Sequence, residues 1–149
     1  MGKHSQVELL ERGQAMLEDG CKPVVLVVED EPMIRMMAVD VFEDEGFEVL
    51  EAPTAPAALA LMENRADVAA LFTDIDMPGG MNGLELAAVV HRHWPHVALV
   101  VTSGVFRPAA GELPGDGVFL PKPYKISAPA QVMRNLLERK SQSSFVPRA

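Results

Sequence analysis

Five short apolar segments, separated by helix-like patterns, run along most of the chain. Each segment is followed by polar or turn-forming residues, which is typical of strands. The first segment, Val24–Val28, is apolar at every position rather than at alternate ones. Such a run is typical of a strand that is covered on both faces of a sheet. The pattern therefore predicts a parallel sheet with strands at Val24–Val28, Phe47–Leu50, Val68–Phe72, Val97–Val101 and Val118–Leu120.

Helical periodicity fills three of the four connections between these segments and the stretch after the last segment. Pro32 suits a first helical turn, and apolar residues recur at helical spacing from Ile34 to Phe42 before Gly46 ends the pattern. The same reasoning predicts helices from Thr54 to about Asn64, from about Gly83 to His93, and over roughly Ser127–Lys140. In residues 104–117, glycine and proline interrupt any periodicity, so a helix there would be short and mobile.

The alternation of strands and helices, (βα)5 in count, predicts an α/β fold. We expect an open, doubly wound parallel sheet, because a closed barrel of this kind needs about 250 residues. We assign residues 22–140 to this domain, residues 1–21 to an N-terminal extension and residues 141–149 to a flexible tail.

The extension has a helical signal of its own. Ser5 and Glu8 have the spacing of a capping box, and Leu10, Gln14 and Leu17 fall near one face. A helix over residues 5–19 is therefore expected, either as a packed extension or as an element that binds a partner. A homodimer is one form of the second alternative.

The amino-acid composition limits the classes of partner and the cellular compartment that we expect for the protein. The 13 Lys+Arg against 21 Asp+Glu give a net charge of −8, which argues against the clustered Lys and Arg that nucleic-acid binding needs. With Cys21 as the single cysteine, no disulfide can form within the chain, as in a reducing compartment. The charged N-terminus is unlike a signal peptide, and no apolar run is long enough for a membrane span. We therefore expect a cytoplasmic protein without a membrane segment.

Polar residues gather where the predicted strands end. In doubly wound sheets the ligand site lies at the carboxyl ends of the strands. Closely spaced carboxylates repel one another unless their pKa values rise or a cation neutralises them, and Mg²⁺ prefers such oxygen ligands. The residues at these ends are Glu29 and Asp30 after the first strand, Asp74 and Asp76 after the third, Thr102 and Ser103 at the end of the fourth, and Lys122 after the fifth.

This set of residues suits phosphoryl transfer. An aspartate can act as the nucleophile and form an aspartyl phosphate, while the protein positions groups and neutralises charge. Asp74 is our candidate nucleophile, because it follows an apolar strand directly and precedes the open Pro78-Gly79-Gly80 turn. Lys122 supplies a positive charge for an anionic group, and the Thr102 hydroxyl can donate to one of its oxygens.

Four motifs surround these residues: Val-Val-Glu29-Asp30-Glu-Pro, Thr73-Asp74-Ile-Asp76-Met-Pro-Gly-Gly-Met-Asn-Gly83, Val101-Thr102-Ser103-Gly104 and Phe119-Leu-Pro-Lys122-Pro-Tyr124. In this order, they resemble the motifs of bacterial response-regulator receiver domains of two-component systems. The resemblance covers about residues 22–140. It implies a flavodoxin-like fold with strand order 2-1-3-4-5.

The resemblance also implies a role for each site residue. Asp74 would accept a phosphoryl group from a histidine kinase or a histidine phosphotransfer protein. Asp30 would bind Mg²⁺ directly, Glu29 mainly through water, and Asp76 through its backbone carbonyl. Thr102 would close on the phosphoryl group, Lys122 would pair with it, and Phe119 would be the aromatic switch. The protein would be a stand-alone signalling switch or phosphorelay carrier rather than a metabolic enzyme, acting through contact with a downstream protein.

Other interpretations stay open at this stage. Thr102 and Phe119 can belong simply to strands and core, Asp30 can cap a helix, and Lys122 can be an exposed turn residue. Asp74-Ile-Asp76 also resembles the Asp-x-Asp of haloacid-dehalogenase-like phosphatases, although there the acidic pair comes last in the chain. A docking module that is not phosphorylated is a third alternative. A metal site at His91, His93 and His96 is not expected, because Pro95 breaks the helix there.

Overall fold

A computed structural model of the chain describes residues 22–109 and 111–144, and the structural statements below refer to these residues. The predictions for residues 1–21 and for the tail beyond Ser144 lie outside them. Strands and helices alternate as the sequence predicts. The elements are β1 (Val24–Val28), α1 (Pro32–Asp44), β2 (Glu48–Ala52), α2 (Ala55–Asn64), β3 (Val68–Asp74), α3 (Gly83–His93), β4 (Ala98–Ser103), β5 (Val118–Pro121) and α4 (Ala128–Ser144).

The five strands form one parallel sheet in the order β2-β1-β3-β4-β5. The predicted fold class and strand order are therefore confirmed. Strand order reverses at β1, so the connections that follow β1 and β3 leave the sheet on opposite faces and open a crevice between them. The carboxyl ends of β1 and β3 border this crevice.

Apolar side chains cover both faces of the sheet, which explains the uninterrupted apolar run of β1. Leu26 and Val28 face a core closed by α2 and α3, whereas Val25 and Val27 face a second core closed by α1 and α4. On the second face, the ring of Phe42 lies edge-on to those of Phe47 and Phe72, with 5.3 Å between centroids in each pair. β1 is therefore covered on both faces, as its sequence pattern predicts.

Helix ends follow the local signals in the sequence. Pro32 begins α1, the Thr54 side chain accepts a hydrogen bond from the α2 backbone, and Asn82 and Glu85 form a reciprocal capping box at α3. The last helix continues to Ser144, so its predicted end at Lys140 was wrong. The flexible tail from residue 141 stays a prediction. No glycine or proline stands between Lys140 and Ser144 to end the helix.

The connection between β4 and β5 contains no helix in its described residues, 104–109 and 111–117. The fold therefore has five strands and four helices over the described ranges, one helix fewer than a full (βα)5 alternation. Gly115 has a φ of 59° beside His91, a conformation that a right-handed helix cannot include.

None of the described helices is both long enough and apolar enough to cross a bilayer.

Candidate functional site

Three charged side chains from separate strands meet at the carboxyl edge of the sheet. Glu29 follows β1 directly, Asp74 is the last residue of β3, and Lys122 follows β5. The Lys122 Nζ lies 3.4 Å from Asp74 Oδ2 and 3.8 Å from Glu29 Oε1. Both carboxylates are only 5% exposed. Residues far apart in the sequence thus form one buried, charged pocket.

Asp30 extends this pocket toward solvent. Glu29, Asp30 and Asp74 each offer one carboxylate oxygen, and these oxygens lie within 4.8 Å of one another. This acidic cluster consists of oxygen donors only, a set that fits a hard divalent cation such as Mg²⁺ better than a softer metal. Within residues 22–109 and 111–144, no other group of histidine, cysteine and acidic residues has such spacing, and this includes the three histidines near Trp94.

Burial dominates the electrostatics of Glu29. The loss of water raises the pKa of its carboxyl and the neighbouring Asp74 charge adds to that rise; with all contributions, the pKa lies at about 7. The Glu31 backbone N–H, which donates to Glu29 Oε2 at 3.0 Å, and the Lys122 ammonium oppose this rise. Around neutral pH, the Glu29 carboxyl is therefore close to the midpoint of its titration, and a bound cation would favour its ionised form.

This raised pKa predicts that the metal-free protein loses stability as pH rises. Glu29 favours the folded state fully below its ordinary pKa of 4.5, and that contribution disappears as pH rises through about 7. Between pH 5 and pH 8, the free energy of unfolding of the wild type should fall by on the order of 3 kcal/mol relative to Glu29→Gln. Urea unfolding in the presence of a chelator measures this difference.

The matched control for this prediction is Glu63→Gln, since the Glu63 carboxylate on α2 is solvent-exposed and lies outside the site. Its pH profile should follow that of the wild type. A Glu29→Gln profile parallel to the wild type over the same range would contradict the raised pKa.

Backbone contacts fix the loop that carries Asp74. Asp74 Oδ1 accepts from the Asp76 N–H at 3.2 Å, and the Ile75 N–H donates to the Thr102 carbonyl at 2.8 Å. The first residue of α3, Gly83, donates its N–H to the Ile75 carbonyl at 3.1 Å. A Cβ on Gly83 would overlap the Asp74 carbonyl and lie 2.8 Å from Ile75 Cα. Only glycine lets α3 begin this close to Asp74.

Thr102 lies beside Asp74 in the sheet. The two residues are register partners across β3 and β4. Thr102 is 1% exposed, and its Oγ1 is the single buried side-chain oxygen or nitrogen in the described ranges that lacks a hydrogen-bond partner. Burying a hydroxyl without a partner is costly. This hydroxyl is therefore available to an additional acceptor.

The Asp76 side chain binds Ser103 and is not part of the acidic cluster. Ser103 Oγ donates to Asp76 Oδ2 at 2.6 Å and accepts from the Val105 and Phe106 N–H groups at 3.1 and 2.8 Å. One hydroxyl thus links the Asp74 loop to the connection between β4 and β5. The sequence pattern indicated no separate role for Ser103. Its position beside Thr102 at a strand end was the one feature from which a role in the site could have been predicted.

Two further residues complete the surroundings of the site. Arg35 on α1 donates from Nη1 to the Glu29 carbonyl at 2.8 Å and from Nε to Glu51 Oε1 at 3.0 Å. It thereby holds the turn that carries Glu29 and Asp30, a role that the sequence pattern did not indicate.

Phe119 is half-buried on β5 and packs against the core beneath α2 and α3. Its assignment as a switch stays a prediction.

Comparison with known proteins identifies relatives of this chain. A sequence profile described as "Response regulator receiver domain" matches residues 25–127. The sensor kinase CckA of Brucella abortus is 34% identical over 119 residues, which are 77% of this chain and 12% of that protein. The nitrogen assimilation regulatory protein NtrX of Azorhizobium caulinodans is 31% identical over 118 residues, which are 76% of this chain and 26% of that protein. The chain thus spans only a minor part of the length of these relatives.

Solved structures agree on the fold. A CheY-like response regulator receiver domain protein from Methanospirillum hungatei superimposes with a TM-score of 0.74 at 24% identity. The match covers 82% of this chain and 98% of that one. At this identity, the likeness concerns the fold.

Proposed function

This chain belongs to the response regulator receiver domain family, and we propose that Asp74 is its phosphoacceptor. The observation that carries the proposal is the ion pair of 3.4 Å between Lys122 and a buried Asp74 at the carboxyl edge of the sheet. A carboxylate in this position combines a nucleophilic oxygen with a fixed positive charge. The pocket opens to solvent beside Asp30, which is half-buried.

The proposed reaction transfers a phosphoryl group from a phosphohistidine. An Asp74 carboxylate oxygen attacks phosphorus, the P–O bond forms, and the P–N bond to the imidazole breaks, so that the donor histidine leaves with the electron pair of that bond. Lys122 compensates the negative charge on the phosphoryl oxygens. The Asp76 N–H, which lies 3.2 Å from Asp74 Oδ1, keeps the other carboxylate oxygen in place. Positioning and charge neutralisation supply most of the acceleration in such transfers.

Thr102 provides the second supporting observation. Its buried hydroxyl has no partner and lies on the strand next to Asp74. A phosphoryl oxygen on Asp74 would give this hydroxyl an acceptor and would remove the cost of its isolation. We therefore assign Thr102 to the binding of the phosphorylated state.

The acidic cluster fits Mg²⁺ by its donor chemistry. We assign Asp30 and Asp74 as direct ligands, Glu29 as a ligand mainly through water, and the Asp76 backbone carbonyl as the remaining protein ligand. When bound, Mg²⁺ supplies neutralisation of the carboxylates and of the phosphoryl oxygens. Arg35 would hold the Glu29–Asp30 turn in position for this binding.

The proposed donor is a histidine kinase or a histidine phosphotransfer protein, and the proposed output is contact with a downstream protein. Phosphorylation adds about −1.5 to −2 charge next to Lys122 and Thr102. Thr102 is on β4, and Lys122 follows β5 but donates its N–H to the Ser103 carbonyl at 3.0 Å, so both residues lie next to the start of the connection between β4 and β5. Phe119 lies on β5. This surface is our candidate for the one that changes with phosphorylation, and Phe119 is our candidate for the aromatic switch.

Incubation with acetyl phosphate tests the proposal. With Mg²⁺, the full chain should gain one labile phosphoryl group per molecule, because Asp74 is consumed by the reaction. With a chelator, incorporation should fall to background. Intact-mass spectrometry at short intervals measures both the stoichiometry and the loss of the group.

Two outcomes of this experiment would contradict the proposal. With a phosphate monoester in place of acetyl phosphate, release of many phosphate molecules per chain at a steady rate would indicate a phosphatase of the haloacid-dehalogenase type. No incorporation by a folded protein, at any Mg²⁺ concentration or with any small phosphodonor, would indicate a docking module.

A further inference from the structure

The Ser103 hydroxyl at the end of β4 uses its full hydrogen-bonding capacity. Its oxygen accepts from the Val105 and Phe106 N–H groups at 3.1 and 2.8 Å, and its proton is donated to Asp76 Oδ2 at 2.6 Å. A hydroxyl has two acceptor positions and one proton. Because the two amides take both acceptor positions, the proton is left with one direction, toward Asp76. The serine is only 2% exposed, so water does not compete for these contacts.

Asp76 depends on this hydroxyl for its connection to the rest of the fold. Its side chain is exposed, and its N–H donates to Asp74 Oδ1 at 3.2 Å, a contact within the same loop. Within residues 22–109 and 111–144, the bond from Ser103 is the one hydrogen bond that joins Asp76 to another element. A hydroxyl that donates to a carboxylate forms a strong, charge-assisted bond. Ser103 is therefore the anchor of residue 76.

The backbone of Asp76 contributes to the proposed site in two ways. Its N–H holds the Asp74 Oδ1 atom, and its carbonyl is a ligand that we assign to Mg²⁺. Both groups flank the same Cα, so an anchor on the side chain of this residue restrains the two of them together. Partners outside the ligand set commonly orient metal ligands in this way, and their loss weakens metal binding.

We propose that Ser103 is a positioning residue of the phosphoacceptor site: its hydroxyl anchors Asp76, which in turn orients the Asp74 carboxylate and presents its carbonyl to Mg²⁺. This inference rests on the proposed function of Asp74 and deepens it. The other two partners of the hydroxyl, Val105 and Phe106, belong to the connection between β4 and β5. They fix the direction of the hydroxyl, and Asp76 carries its effect to the site.

Ser103→Ala in the full chain removes the anchor. The Kd for Mg²⁺ should rise roughly tenfold, as measured by isothermal titration calorimetry without a phosphodonor. At saturating Mg²⁺, the rate of phosphoryl gain from acetyl phosphate should fall several-fold, as followed by intact-mass spectrometry. Ser127→Ala is the matched control, because it removes an exposed hydroxyl just before α4. The control should equal the wild type in both measurements.

Asp76→Ala breaks the same bond from its other end and leaves Ser103 with the Val105 and Phe106 amides. It should reproduce the loss of Mg²⁺ affinity, and it tests the proposal by itself if Ser103→Ala does not fold. The double variant Ser103→Ala/Asp76→Ala should be no weaker than the weaker single variant, since one interaction is removed in all three. Losses that multiply in the double variant, or an Asp76→Ala variant with the affinity of the wild type, would overturn the proposal.

These measurements separate the role of Ser103 from the assignment of Asp74. A wild type that binds Mg²⁺ but gains no phosphoryl group would contradict Asp74 as the phosphoacceptor, and the Mg²⁺ affinities of the variants would still test the anchor. A reactive wild type whose Mg²⁺ affinity and rate are unchanged in Ser103→Ala would overturn the role of Ser103 and leave Asp74 as the phosphoacceptor.

Discussion

Asp74→Asn is expected to abolish phosphoryl incorporation from acetyl phosphate. The carboxamide is a poor nucleophile and cannot form the acyl phosphate, whereas the surrounding hydrogen bonds can be kept. Its fold should persist, because the substitution removes one negative charge from a cluster of three carboxylates. Intact-mass spectrometry should show no gain in mass under conditions that convert the wild type. The free energy of unfolding should equal or exceed that of the wild type.

The matched control for this variant is Asp76→Asn. Asp76 is an exposed carboxylate two residues away, and its side chain is bound to Ser103 outside the acidic cluster. This variant should still gain one phosphoryl group. If phosphoryl incorporation persists in Asp74→Asn but disappears in Asp76→Asn, Asp76 is the nucleophile and our assignment is wrong.

Gly83→Ala should destabilise the domain and slow phosphorylation together. The new Cβ would overlap the Asp74 carbonyl, so either α3 or the Asp74 loop must move. Overpacking of this kind costs about 1–3 kcal/mol, and we expect a value near the upper end, because the clash is with backbone that cannot rotate away. Chemical denaturation measures the loss of stability, and the acetyl phosphate reaction measures the loss of rate.

Gly104→Ala provides the comparison. A Cβ at Gly104 would lie 3.7 Å from Lys122 Cβ and 3.8 Å from Lys122 Cδ, which is ordinary contact. It should change the free energy of unfolding by less than about 1 kcal/mol. Equal losses in the two variants would show that the close approach of Gly83 to Asp74 is not what limits substitution there.

The fold could be predicted because its signals are local and repeated. The uninterrupted apolar run of Val24–Val28 indicated a strand covered on both faces, and Pro32 and Thr54 marked the starts of α1 and α2. The end of α4 was misplaced, because helix C-termini without glycine or proline carry weak signals. The strand ends were misplaced by one or two residues for a related reason: Asp74 and Ser103 are polar, yet they still lie in the sheet.

The site could be predicted in part. Residues that follow parallel strands share one edge, so Glu29, Asp74 and Lys122 could be brought together from their places in the sequence. Arg35 and Ser103 act through backbone groups of other elements. Contacts of that kind depend on loop geometry, which no periodicity encodes. That Thr102 Oγ1 lacks a hydrogen-bond partner could not be predicted from the sequence either, because it depends on the burial of a single atom.

The Ser103 hydroxyl prevents two surface loops from moving independently. If Asp76 shifts, the hydroxyl must either follow it and release the Val105 and Phe106 amides, or stay with them and give up a charged acceptor. A hydrogen bond to a charged group contributes about 1.5–3 kcal/mol. A displacement near the nucleophile is therefore mechanically transmitted to Val105 and Phe106, whose side chains are 82% and 41% exposed. A neighbouring protein could sense the chemistry of the pocket there without reaching into it.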